Sequence, residues 1–252
     1  MSRMTAKVAR FRFYAELNDF LPEERRFVTF ERPFELDASV KDMIESLGVP
    51  HTEVDLVVVD GESVDWSHRV ADGELISVYP VFESFDISPV IRLRPEPLRD
   101  PRFVLDGHLG QLARWLRLLG FDTAYRNHAE DAELAAVSSK DHRILLTRDV
   151  GLLKRKSITH GSFVRATDPE KQLVEVVQRW DLNGRVAPFT RCMNCNGRLV
   201  PAEKADVIDE LEPGTATYYD EFRRCEECGR VYWKGSHYER LLSLIERVLD
   251  NG

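Results

Sequence analysis

The chain has 252 residues, of which 43% are hydrophobic and 31% charged, and carries a net charge of −8. That balance describes a globular protein of one or two domains and excludes a disordered chain. No apolar run reaches the roughly 20 residues that a bilayer span requires, and residues 1–7 contain no apolar signal core; a cytoplasmic location and no membrane partner are therefore expected.

The charge is uneven. Residues 1–90 hold 9 Lys/Arg against 18 Asp/Glu, and residues 91–252 hold 26 against 25, so the acidity belongs to the N-terminal part. The overall charge therefore says little about whether the remainder can meet a polyanion.

Ala9, Phe11 and Phe13 alternate with Arg10 and Arg12, which is strand period. Phe27, Val28, Thr29 and Phe30 predict a second short strand. Ser39 can cap a helix with Val40, Met43, Ile44 and Leu47 on one face, stopped by Gly48. Residues 54–59 form a buried strand before an Asp60-Gly61 turn, and residues 75–78 a last strand after Asp72-Gly73. This order over residues 5–83 resembles the ubiquitin-like β-grasp fold, most of all its sulfur-carrier and molybdopterin-synthase small-subunit branch. That branch ends in an activated Gly-Gly tail, whereas here the chain continues Tyr79-Pro80-Val81-Phe82-Glu83. The resemblance thus implies an interaction or scaffold domain over residues 1–84, able to engage a protein partner, without carrier chemistry. Residues 85–102, with Pro89, Pro95, Pro97 and Pro101 among Arg92, Arg94, Arg99 and Arg102, read as a linker.

From residue 103 strands and helices alternate. Phe103-Val104-Leu105 precedes a helix with Leu109, Leu112, Ala113, Leu116 and Leu119 on one face and Gly120 as its stop. Residues 121–125, 144–147 and 163–164 read as further strands, residues 130–139 as a helix, and Asp168-Pro169 as the start of a helix buried through Leu173, Val176, Val177 and Trp180. Repeated βα units imply a parallel α/β sheet over residues 103–184. Sites in such sheets form at the carboxyl ends of strands. Asp106 and Asp149 follow strands, and Asp131 and Glu133 open a helix. Converging carboxylates need a cation, and hard oxygen donors suit Mg²⁺ or Mn²⁺. Each acid alone also fits a turn or a helix cap.

Residues 185–252 contain Cys192-Met193-Asn194-Cys195 and Cys225-Glu226-Glu227-Cys228, which together hold every cysteine of the chain. Two such pairs can enclose a tetrahedral Zn²⁺ with no open position, a structural zinc ribbon. Disulfide or redox pairs are the competing reading, disfavoured in a reducing compartment. The 29 residues between the pairs predict an insertion. Leu241, Leu242, Ile245 and Val248 predict a final docking helix over residues 238–249.

Phe103-Val104-Leu105-Asp106-Gly107-His108-Leu109-Gly110, Leu112-Ala113-Arg114-Trp115-Leu116-Arg117, Asp131-Ala132-Glu133-Leu134 and Ile144-Leu145-Leu146-Thr147-Arg148-Asp149 stand beside the cysteine pairs and Tyr232-Trp233-Lys234-Gly235-Ser236-His237. Together they resemble the family named after the C-terminal RNase domain of the Mut-seven exonuclease, over about residues 100–240. The resemblance implies a PIN-like fold and metal-dependent hydrolysis of RNA, with transfer RNA the first substrate to consider. It implies Asp106, Asp131 and Asp149 as Mg²⁺ or Mn²⁺ ligands and Glu133 as a helper. Arg148, Lys154, Arg155 and Lys156, around and one turn after Asp149, and Arg114 on the first helix are candidates for contacts with RNA phosphates, against the ordinary reading of solvated charge. The alternative function is a non-catalytic RNA-binding adaptor that recruits a partner through the ubiquitin-like domain.

Overall fold

A computed structural model describes residues 7–35, 37–80, 93 and 100–250. In chain order its elements are β1 (Lys7–Phe13), β2 (Phe30–Phe34), α1 (Val40–Ser46), β3 (Val54–Val59), β4 (Glu62–Val64), β5 (Leu75–Pro80), β6 (Phe103–Leu105) and α2 (Gly110–Leu118). They continue with β7 (Thr123–Tyr125), α3 (Asp131–Lys140), β8 (Ile144–Thr147), α4 (Val150–Leu153), β9 (Gly161–Phe163) and α5 (Pro169–Arg179). The last are β10 (Leu199–Ala202), α6 (Lys204–Val207), α7 (Pro213–Tyr218), β11 (Phe222–Cys225), β12 (Val231–Trp233) and α8 (Ser236–Asp250). Apart from Leu93 and residues 100–102, the expected linker lies outside the described residues. Two units result: residues 1–99 with 138–163, and residues 100–137 with 164–252.

In the first unit five strands form one sheet in the order β2-β1-β5-β3-β4, with β1 and β5 parallel and the other pairs antiparallel. Alternation along β1 buries Ala9, Phe11 and Phe13 under α1, whose Val40, Met43 and Ile44 complete the core with Ile76 and Val78. Ser39 caps α1 by accepting the Asp42 N–H at 3.1 Å, and Gly48, at φ +108°, ends the helical segment in a conformation few other residues adopt. This is the expected β-grasp arrangement.

The second strand begins later than its apolar run suggests. β2 starts at Phe30, whereas Phe27 sits at φ 57° with 64% of its surface exposed. The buried side chain of Asn18 accepts the Phe27 N–H at 2.7 Å and donates to the carbonyls of Phe13 and Ala15. A buried amide that bonds three backbone groups overrides the local strand preference.

The same unit contains β8 and β9, a parallel pair in which Leu145, Leu146 and Thr147 face Gly161, Ser162 and Phe163. All four residues of β8 are buried, and α4 packs on both strands.

In the second unit β6 pairs in parallel with β7, placing Phe103, Val104 and Leu105 beside Thr123, Ala124 and Tyr125. Parallel strands separated by helices make the region from β6 to α5 α/β. Helix α2 buries Leu112, Ala113 and Leu116 and packs on β7 and α5, which in turn packs on α8. Gly120 ends α2 at φ +96°, and a Cβ there would lie 2.3 Å from the Ala187 carbonyl oxygen, so glycine admits the chain returning from α5. The guanidinium of Arg247 on α8 grips the Glu170 carboxylate at 2.7 and 3.1 Å and holds its pKa below the ordinary value. Strands β10, β11 and β12 form an antiparallel sheet, and the expected insertion between the cysteine pairs carries α6 and α7. Among the described residues no helix is long and apolar enough to cross a membrane.

Candidate metal centres

The acids stand at element boundaries, where a short side chain can serve the backbone or a ligand. Asp106 directly follows β6 and precedes a one-turn 3-10 helix, and its carboxylate makes no capping bond to that turn. Leu105 pairs with Tyr125 across β6 and β7, and the Tyr125 hydroxyl donates to the Gly107 carbonyl at 2.8 Å. A Cβ on Gly107 would lie 2.6 Å from the Asn127 carbonyl oxygen, and one on Gly110 would lie 2.6 Å from the Tyr125 hydroxyl. Both glycines therefore let the stretch after Asp106 lie against the end of β7. Asp131 opens α3, and Glu133, its third residue, pairs with Arg126 at 3.2 Å and accepts the Glu130 N–H. Asp149 caps α4: its Oδ1 accepts the N–H groups of Gly151 at 2.6 Å and Leu152 at 3.3 Å. Only one oxygen is used in this way, and Oδ2 is the oxygen that could meet a cation. Asp168 caps α5 through the Lys171 N–H, a role its place before Pro169 anticipates.

Of the basic candidates, Arg114, Arg148, Arg155 and Lys156 are exposed. Lys154 is half-buried, and its ammonium donates to the Glu45 carbonyl at 2.8 Å. Tyr125, Arg126 and Asn127 escape a reading of the sequence for acids and charge runs. Their signal was positional, since they end and follow the strand that pairs with the one leading into Asp106.

The cysteines converge. The four Sγ atoms of Cys192, Cys195, Cys225 and Cys228 all lie within 4.8 Å of one another. Cys192 and Cys228 are 3.7 Å apart and Cys195 and Cys225 3.3 Å, far beyond the roughly 2.05 Å of a disulfide. Tetrahedral zinc–thiolate bonds of about 2.3 Å place sulfurs about 3.8 Å apart, so this donor set fits a zinc ion with every position filled by protein. Antiparallel pairing sets Cys225 opposite Leu199, and the turn Cys192–Cys195 closes with the Cys192 N–H on the Gly197 carbonyl. Gly197 is required sterically, because a Cβ would lie 2.8 Å from Cys225 Sγ.

The thiols do not ionise alike without metal. Burial pushes the Cys192 thiol up, but the Tyr232 hydroxyl at 3.1 Å and the N–H groups of Cys195 and Asn194 outweigh it and leave it at about 6. Burial, then the neighbouring sulfurs, pushes Cys195 up to about 12. Four thiolates this close need a cation to coexist. Arg191, Arg198, Arg224 and Arg230 flank the pairs in sequence, and two of them are already matched to carboxylates, Arg191 to Asp122 at 3.6 Å and Arg224 to Glu210.

The Mut7-C RNAse domain profile matches residues 101–245, more than half of the 252 residues, and the Mut7-C ubiquitin profile matches residues 6–86. The chain belongs to the Mut7-C RNAse domain family. No curated protein matches it. The Mut7-C region thus includes β6 to β9, all four acids and the cysteine cluster, and the β-grasp sheet is the Mut7-C ubiquitin domain.

Within the Mut7-C domain the cysteine cluster is tied to the strand beside Asp106. Arg117 lies outside the apolar stripe of α2, yet it is 5% exposed. Its Nε donates to the Thr123 carbonyl at 2.9 Å, and its Nη1 to the carbonyls of Met193 at 3.3 Å and Asn194 at 2.8 Å, inside the first cysteine pair. Burial lowers its pKa, and the negative charge of Cys195, Cys192 and Asp122 opposes that. Asn196 adds a second tie: its Oδ1 accepts the Thr123 N–H at 2.9 Å and its Nδ2 donates to Asp122 at 2.8 Å. Replacing Arg117 with Met should cost about 2–4 kcal/mol, because it strands buried carbonyls that a charged donor served. Urea denaturation checks this, and an unchanged midpoint would dismiss the tie.

Proposed function

We propose that this protein is a Mg²⁺- or Mn²⁺-dependent ribonuclease that hydrolyses RNA phosphodiester bonds, with transfer RNA the substrate class to try first. The carrying observation is the match to the Mut7-C RNAse domain over residues 101–245, with Asp106 and Asp149 each following a strand of that region. In this reading Asp106, Asp131 and Asp149 hold the catalytic cation and Glu133 assists from the first turn of α3. Carboxylates alone are a hard donor set, which fits Mg²⁺ or Mn²⁺ and contrasts with the four thiolates reserved for zinc. When bound, such a cation offsets charge on a phosphate oxygen and makes a water molecule more acidic. The protein's own contribution is to fix Asp106 and Asp149 after strands and Asp131 and Glu133 in the first turn of α3 and, through Arg114, Arg148, Arg155 and Lys156, to orient the RNA backbone. The zinc ribbon holds shape and takes no part in the chemistry.

The test is cleavage of pooled transfer RNA and of an unstructured RNA by the purified protein. The control is omission of the added cation, because a chelator would also strip zinc. Cleavage that depends on Mg²⁺ or Mn²⁺ and disappears in Asp106→Asn is expected. Retention of RNA without cleavage of either substrate would replace this reading with that of a binding protein.

A further inference from the structure

Residues 138–163 lie inside the region matched by the Mut7-C RNAse domain, yet they share a unit with the ubiquitin-like domain. Three polar contacts join the two parts, and all three fall on the stretch that follows Asp149. At the end of α4, the ammonium of Lys154 donates to the Glu45 carbonyl at 2.8 Å. Four residues on, the Ile158 carbonyl accepts from His51 Nε2 at 3.0 Å. A carbonyl can only accept, so Nε2 carries a proton, while Nδ1 meets the Glu45 carboxylate at 2.7 Å. Glu45 therefore serves twice, orienting His51 with its side chain and receiving Lys154 with its backbone. In β9, the Phe163 N–H is taken at 2.7 Å by the carboxylate of Glu53, a residue with no exposed surface. Phe20 also meets the Phe163 ring edge-on, with centroids 5.5 Å apart.

Burying a carboxylate is strongly unfavourable unless hydrogen bonds replace its water, so Glu53 belongs to a built contact. The Phe163 N–H would otherwise belong to a strand edge that another chain could pair with. Contacts spanning 107 to 110 residues of sequence bracket α4 and β9 at positions 154, 158 and 163.

We infer that the ubiquitin-like domain is a built-in clasp that holds residues 149–163 in place, with His51, Glu53 and Lys154 as positioning residues for the helix that Asp149 caps. Its importance for catalysis rests on the ribonuclease reading; the clasp itself does not. The clasp also gives Lys154 a role other than meeting phosphate.

The experiment uses the full chain with a protease site placed in the 84–92 stretch, cut after folding. The two pieces should stay together through size-exclusion chromatography at micromolar concentration. Separation of the pieces would overturn the clasp, since a tethered module needs only its tether. In the uncut chain, Glu53→Met, which removes the acceptor of the Phe163 N–H, should raise hydrogen exchange at the Phe163 amide by on the order of tenfold, and Lys154→Met should do so across residues 150–158. Lys154→Arg, which still donates, should restore protection. Unchanged exchange in both Glu53→Met and Lys154→Met would sink the inference. Where the protein cleaves RNA, Lys154→Met should lower kcat and leave KM in place, whereas a higher KM with steeper salt dependence would mark Lys154 as a phosphate contact and overturn its assignment here. If the protein cleaves no RNA, the exchange and cutting results still decide the clasp while the ribonuclease reading falls.

Discussion

Asp149→Asn should reduce metal-dependent RNA cleavage by on the order of 10³-fold while leaving the thermal midpoint nearly unchanged. The two effects separate because Asp149 has two tasks. As a cap it accepts the N–H groups of Gly151 and Leu152 with Oδ1, and an asparagine amide oxygen can do the same. As a proposed metal ligand it supplies negative charge, which an amide lacks. A cation's stabilisation of a phosphoryl transition state is worth several kcal/mol, and each 1.36 kcal/mol is about tenfold in rate. Asp149→Ala removes both tasks and should lose activity together with about 1 kcal/mol of stability. Single-turnover cleavage and thermal melts on the two variants provide the readout. Full activity in Asp149→Asn would leave Asp149 as a cap alone.

Cys225→Ser should leave the purified protein without zinc and with an unfolded ribbon. Cys225 is buried, pairs opposite Leu199 and lies 3.3 Å from Cys195, so its loss opens the coordination shell from within. Structural zinc contributes about 10–16 kcal/mol at neutral pH, comparable with the whole stability of a domain. The small sheet β10-β11-β12 buries few large apolar side chains; Leu199 and Phe222 are the main ones. The damage should travel. Arg117 would lose the carbonyls of Met193 and Asn194, and the Thr123 amide would lose its Asn196 acceptor, so exchange at Thr123 should rise with zinc loss. Zinc content by elemental analysis and exchange at Thr123 check both parts. Acid should act in the same direction. Zinc binds thiolates, and Cys195, pushed up to about 12 without metal, gives up a proton when zinc enters. Affinity should therefore fall as pH falls, by about tenfold per unit for each proton displaced. A ribbon that keeps its exchange protection after zinc is removed would refute a structural role for the metal.

The parts of this protein that its sequence determines are those set by near neighbours. Period 2 in β1, the apolar stripes of α2, α5 and α8, and the caps at Ser39 and Asp168 depend on residues one to four positions apart. The Cys-x-x-Cys pairs are equally local, because two thiolates three residues apart can share one ion whatever surrounds them. That is why a candidate zinc site is legible from four letters, and why the α/β and β-grasp classes follow from element order.

Tertiary structure decided what depends on distant partners. Phe27 looks like strand, and the side chain of Asn18, nine residues earlier, holds it out of β2. Arg117 looks like a solvated helix residue, and carbonyls 76 and 77 residues away draw it into the interior. Lys154 looks like part of a basic run, and a carbonyl 109 residues earlier takes its ammonium. In each case a partly buried backbone group takes a side chain as its partner, and only the folded chain determines which side chain is within reach.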